Sequence, residues 1–356
     1  MPGSYGSLSI SDLQAATNQS VADFGEDRTF GALQANLDAY NGIVREMVAE
    51  IAEPTTDRLR RYGGVSRMEM IPADEFGRAN AQKVTTGQNI GFPMDNYQIA
   101  VQWTRKYFQM HTPAELAGQY LAMREADSQR ILAELQRALY TPTNRLTYKD
   151  RYVDQVELPV RALANATAGD MLPVGPSGTA FDGASHTHYL ATASLTAANL
   201  SALITTVREH AVTGQVRLYI SATNEAAVRS MTSNFTAYLD ARLIPAQNTQ
   251  QTTMALDIAD ATNRAIGVFD SAEVWVKPWV LTNYPVAIRM GGPTMPLVFR
   301  TRDGGALADL QMVSDWDQFP LRAQHFEREF GIGVFGRVDA AVLSIGSGTY
   351  TAPVIA

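Results

Sequence analysis

The segment Arg58–Tyr140 constrains the fold more than any other part of this chain, because a long polar stretch runs directly into a helix with strong start signals. The stretch, about Gly63–Phe108, is too long for an ordinary connection, since loops beyond about 15 residues are uncommon inside compact domains. Strand-like runs flank its middle: Arg67–Ile71, then Tyr97–Phe108, where Tyr97, Ile99, Val101 and Trp103 alternate with polar residues. Gly77, Gly87, Gly91 and Pro93 lie between them, the composition of a turn-rich tip. The pattern predicts an extended arm that cannot bury its apolar face within its own domain and packs those four residues on a neighbour. Thr112-Pro113-Ala114-Glu115 then supplies an N-cap threonine, a proline at the first helical position and a glutamate placed for a capping box. Leu116, Tyr120, Met123, Ile131, Leu135 and Leu139 continue a helix to the stop at Thr141-Pro142. At 1.5 Å per residue this is a rod of about 40 Å.

The remainder reads as α+β. Residues 1–27 are small and polar, with Val21 and Phe24 as isolated apolar points, and predict an arm ordered only against something else. Three-to-four-residue apolar spacing predicts a helix over about 28–52, ended by Glu53-Pro54. Residues 141–190 look irregular. A helix is expected over 196–210, a strand over Val216–Ser221 and a short helix near Glu225–Met231, with a second projecting loop over 233–262. Strands follow at Ala265–Phe269, Glu273–Lys277, Val286–Met290, Leu297–Arg300 and the long run Leu321–Phe335.

Composition removes whole classes of function. With 46% hydrophobic and 18% charged residues, the 356-residue chain is expected to fold into one or two domains. No apolar run reaches the roughly 18 residues of a membrane span, and the N-terminus lacks a signal-peptide pattern. The absence of cysteine excludes disulfides, thiolate metal sites and cysteine nucleophiles. A net charge of −7 argues against a dedicated nucleic-acid binder. Lysine is confined to Lys83, Lys106, Lys149 and Lys277, and the arginine bias suits bidentate pairing at interfaces.

The chemical motifs are weak. Gly331-Ile332-Gly333-Val334-Phe335-Gly336 matches G-x-G-x-x-G, but too little chain follows to complete a βαβ unit, so glycines permitting close strand packing are expected instead. His186 and His188 share one face of a strand and His210 could join them. Zinc needs three or four ligands, cysteine is absent and Asp182 is the close carboxylate, so the expectation is structural hydrogen bonding beside Tyr189 and no metal. His111 and His325 are isolated and expected to be structural. Signatures of hydrolases and phosphate-binding loops are missing, and neither a catalytic residue nor a cofactor site is assigned. Glu125 and Asp127 cannot face each other on the rod, whereas Arg130 and Glu134 are spaced as a surface i,i+4 pair, with Arg137 on the face of Arg130. Arg58, Arg60, Arg61 and Arg67 at the base of the arm would either dock on acidic residues of another subunit or stay a solvated charge run.

This order of arm, hairpin, capped rod, mixed domain and returning strands, with the Phe181–Tyr189 segment before the second-half helix, resembles the major capsid protein of tailed bacteriophages. That family has the Hong Kong 97 fold, shared with encapsulins. The resemblance covers nearly the whole chain and implies an N-terminal arm and helix (1–57), an E-loop hairpin (58–111), a peripheral domain with the spine helix 113–140 (112–194), an axial domain (195–310) and strands returning to the peripheral domain (311–356). It further implies a homo-oligomer of hexamers and pentamers closing an icosahedral head around double-stranded DNA, assembled in the host cytoplasm. Portal, scaffolding and decoration proteins would be partners, with scaffolding separate or removed, since no long charged segment opens the chain. Packaged DNA would meet part of the rod face through sequence-independent charge. Some members cross-link through a lysine on the E-loop, a position at which Lys83 is the only candidate. An encapsulin-type compartment and a soluble histidine-metal enzyme are the alternative readings.

Overall fold

The computed structural model describes residues 8–63, 70, 72, 75, 77, 87–210, 213–238 and 263–355. The Arg67–Ile71 strand, Arg67, Lys83 and nearly all of the 233–262 loop after residue 238 therefore lie outside the described residues, apart from Met70.

In chain order the helices are α1 (Ile10–Ala15), α2 (Val21–Phe24), α3 (Glu26–Ala49), α4 (Arg105–Met110), α5 (Pro113–Tyr140), α6 (Ala197–Arg208) and α7 (Glu225–Ser230). The first strands are β1 (Ala52–Thr55), β2 (Leu59–Tyr62), β3 (Gln88–Gly91), β4 (Asp95–Thr104), β5 (Arg145–Tyr148), β6 (Leu158–Val160), β7 (Tyr189–Thr192) and β8 (Gln215–Ile220). They are followed by β9 (Phe235–Ala237), β10 (Arg264–Phe269), β11 (Ala272–Val276), β12 (Val286–Met290), β13 (Leu297–Arg300), β14 (Gln311–Gln318), β15 (Leu321–Val334) and β16 (Ala340–Ile345).

The rod forms as its cap chemistry dictates. Thr112 accepts from the Glu115 amide while the Glu115 carboxylate returns to the Thr112 amide at 2.9 Å, and Pro113 needs no donor there. One face of α5 is buried by Leu116, Tyr120, Met123, Ile131, Leu135 and Leu139. That face meets α1, α3 and β15 in the larger of two main cores. The second core lies between α6 (Leu200, Leu203, Ile204, Val207) and a seven-stranded sheet in the order β7-β16-β12-β8-β11-β10-β9.

The first sheet runs β1-β13-β15-β14, with β4 also on β15. β15 pairs antiparallel with β4 from Leu321 to Phe330 and with β13 from Gly331 to Val334. Gly331 and Gly333 let the Phe92-Pro93 backbone cross this strand closely, because a Cβ on Gly331 would collide with the Pro93 carbonyl. The expected packing role of these glycines holds.

Three expectations change. Residues 10–24 are not an arm awaiting a partner: Ser9 and Ser20 cap two short helices through Asp12 and Asp23, and Leu13 and Val21 are fully buried in the main core. The strand expected to reach Phe108 stops at Thr104, whose hydroxyl caps α4 by accepting from the Tyr107 amide at 3.1 Å, and Phe108 is buried from that helix. Sheet membership also crosses the expected boundaries at 194/195 and 310/311. β7 and β16 belong to the seven-stranded sheet, and β13 belongs to the sheet of β15. No helix among the described residues is long and apolar enough to cross a membrane.

Candidate assembly surfaces and a histidine cluster

The hairpin that leaves the body is narrower than the sequence suggested. β2 and β3 pair antiparallel from Leu59↔Gly91 to Tyr62↔Gln88. Its root is a small apolar cluster of Tyr62, Ile90, Phe92 and Val298, with Phe335 packed against it. The charges at the root are satisfied within the chain. Arg58 lies 2.7 Å from Asp154, which also holds the buried Arg300. Arg60 pairs with Asp57 at 2.6 Å and Glu53 at 3.1 Å, with its guanidinium over the rings of Phe92 and Phe335. Arg61 is exposed.

The apolar face of β4 is also covered from within. Trp103 is only 3% exposed, close to Phe30, Phe108 and Tyr120, and its indole N–H donates to Gln119 at 2.5 Å. Tyr97, Ile99 and Val101 are partly buried against the same core. The arm's second strand thus finds its apolar partner in its own domain, because β15 supplies the missing edge and α5 the missing layer.

The rod face differs from a solvated ladder. Arg130 and Glu134 do pair, at 2.5 Å, but Glu134 is buried and also holds Arg137, and Arg130 lies over the Tyr97 ring. Asp127 is buried as well, against Arg328 and Tyr40. His111 stacks on Tyr107 and sits 2.8 Å from Glu115.

One surface was not foreseen. β14 is the edge of its sheet and exposed along its whole length, presenting Met312, Val313 and Trp316, with Phe319 in the turn beyond it 84% exposed. An open strand edge with large apolar side chains is a ready template for another chain.

The three histidines do converge. His186 and His188 approach from the segment entering β7, and His210 from the end of α6. The Nε2 atom of His186 is 2.8 Å from Nε2 of His210 and 3.1 Å from Nε2 of His188. His188 is completely buried, and its Nδ1 donates to the Ala340 carbonyl at 2.8 Å. Phe181 packs on the rings of His186 and His210. Burial holds His188 well below the ordinary histidine range, with His210 and His186 adding to the effect. It pushes His210 down to about 4, and His186 downward too. All three rings are neutral near pH 7.

No family model and no curated protein matches the chain. A solved structure from Mycobacterium phage Patience overlays it with a TM-score of 0.68 at 17% identity, covering 99% of this chain and 97% of the other. The capsid of an empty GTA particle gives 0.48 at 14% identity, over 84% of this chain and 90% of the other. A holo encapsulin complex from Synechococcus elongatus gives 0.46 at 12% identity, over 87% and 90%. The first overlay bears out the expected architecture: the chain has the Hong Kong 97-like fold.

Proposed function

We propose that this chain is the structural subunit of a phage capsid shell, assembling through hexamers and pentamers into an icosahedral head around double-stranded DNA. The observation that carries the reading is the overlay on the Mycobacterium phage Patience structure across 99% of this chain. A fold alone does not fix a function, so the surfaces must also suit the role.

They do in two places. The β2–β3 root is anchored by an apolar cluster and the Arg58–Asp154 pair, which lets residues 63–87 reach toward an adjacent subunit. β14 offers a second, apolar edge for a neighbouring copy. Stability of such a shell comes from many repeated interfaces more than from any one of them. The bonded arginines at the root leave Arg61, and Arg67 outside the described residues, as the root charges to meet another subunit. Portal, scaffolding and decoration proteins are the partners this role brings, and the virion is its location. Cross-linking through Lys83 stays a secondary proposal, read out as a mass increase on denaturing gels.

Expression of the chain followed by gel filtration and negative-stain microscopy tests the reading. Shells or capsomer-sized assemblies are expected, and deletion of residues 74–86, which spares β3 and its buried Ile90, should abolish them while leaving a folded subunit. A wild-type chain that stays monomeric at all concentrations, alone and with its own phage's assembly partners, would rule it out.

A further inference from the structure

The geometry points to a divalent cation site, Zn²⁺ by its donor chemistry, formed by the Nε2 atoms of His186, His188 and His210. Neither the fold nor the shell role calls for it, and it stands independently of both.

Hydrogen bonding satisfies the cluster incompletely. His188 uses its Nδ1 proton on the Ala340 carbonyl, so its Nε2 carries a lone pair. His186 Nε2 touches both other Nε2 atoms, at 3.1 and 2.8 Å, yet has at most one proton to offer. If it donates to His188, it has no lone pair to accept a proton from His210. If it accepts from His210, it faces the His188 lone pair with its own. At most one proton serves the three Nε2 atoms, shared between two contacts at best, and protonating His186 adds none at Nε2 beyond it. A cation at the centre turns all three lone pairs into ligands.

The ligand chemistry fits. The three ligand atoms lie within 4.8 Å of one another. Zinc with Zn–N of about 2.0–2.1 Å in a tetrahedron spaces its nitrogens by about 3.3 Å, so the two short contacts open slightly and the third closes. The Ala340 carbonyl fixes the His188 tautomer, the outer contact that zinc-binding histidines commonly have. Glu209 places Oε1 3.6 Å from His186 Nε2 and supplies an anion, although burial raises its pKa. The nearby cations have carboxylate partners: Arg289 lies 2.5 Å from Asp339, and Arg337, at 2.8 Å, shares Asp170 with Arg161. Bound there, the ion would pin the Phe181–His188 segment to the end of α6 through three histidines, with the fourth position left to water.

The purified full-length chain, stripped with chelator, is titrated with Co²⁺ as a visible reporter and with Zn²⁺ in competition. Retained metal is counted by mass spectrometry after desalting. About one equivalent per chain, with a tetrahedral cobalt spectrum displaced by zinc, is expected. His186→Ala, at the most accessible ligand, should weaken retention on the order of 100-fold with the circular dichroism unchanged, while His111→Ala leaves it intact. Wild-type chain that retains no stoichiometric metal, or a folded His186→Ala that retains it equally, overturns the assignment. The wild-type titration decides the matter even if a ligand variant fails to fold.

Discussion

Arg328 on β15 and Asp127 on α5 form a buried ion pair, with the guanidinium Nε 3.3 Å from the carboxylate. Arg328 also donates to Asn41 at 2.6 Å, and Tyr40 donates to Asp127 at 2.8 Å. The pair therefore joins α3, α5 and β15 at one point in the main core. Burial raises the Asp127 pKa and Arg328 pulls it back, so the charge survives only because its partner is in place.

Asp127→Ala should cost about 3–5 kcal/mol, because it leaves the Arg328 charge buried without a carboxylate. The double variant Asp127→Leu with Arg328→Met should recover most of that loss. Urea unfolding of the unassembled subunit measures both. A single variant within about 0.5 kcal/mol of wild type would show that the pair does not hold the core together.

The two exposed-or-buried tryptophans make a second test. Trp103→Ala should destabilise the isolated subunit by about 3–5 kcal/mol, since its ring is packed within its own core. Trp316→Ala, on the open edge of β14, should change subunit stability by no more than about 0.5 kcal/mol yet lower particle yield. Thermal unfolding set beside particle counts separates the two, and reversed effects would mean that the interface has been placed on the wrong strand.

Gly331→Ala forces a methyl group into the Pro93 carbonyl, and the expected cost is about 1–3 kcal/mol or more. Gly118→Ala is the control: nothing lies within 4 Å of a Cβ at this α5 position, so a gain of up to about 1 kcal/mol is expected. Equal effects in denaturant titrations would contradict the close strand crossing.

The histidine cluster predicts acid sensitivity in the metal-free chain. Between the ordinary value of 6.5 and about 4, the unfolded chain takes up protons that folded His188 and His210 refuse. Their contribution is complete above pH 6.5 and falls away as the pH drops toward 4. Asp127 and Asp339, whose pKa values burial raises, act in the opposite sense from pH 3.8 upward. Denaturant midpoints at pH 7 and pH 5 in chelator, compared between wild type and His210→Gln, separate the histidine part from these carboxyls. His210→Gln should flatten the difference, and an unchanged slope would reject the assignment.

What the sequence disclosed follows the range of the forces involved. α5 was readable because Thr112, Pro113 and Glu115 cap it locally, and β12 and β13 because their apolar runs are short and bounded. α1 and α2 carry equally local signals, Ser9 with Asp12 and Ser20 with Asp23, which a search for aspartate at the third helical position would have found. β14 shows no apolar period, since it has no buried face. The burial of Trp103 depended on β15, whose Arg322 sits opposite it in the ladder, and chain order does not announce that pairing. The histidine convergence was partly legible: His186 and His188 lie two apart and His210 was a candidate to join them, but only the fold shows that α6 delivers it within 2.8 Å of His186.

The joining of the first helices to the last strands has a consequence in time. Asn41 and Leu310 exchange two hydrogen bonds across 269 positions, and β15 closes the same core. A chain emerging from the ribosome therefore holds α3 and α5 without their cover until synthesis is nearly complete, an exposure that long-range topologies share. Docking surfaces that depend on that core cannot mature on a partial chain. Truncated products that lack β15 cannot complete that core, so the fold doubles as a check on completeness.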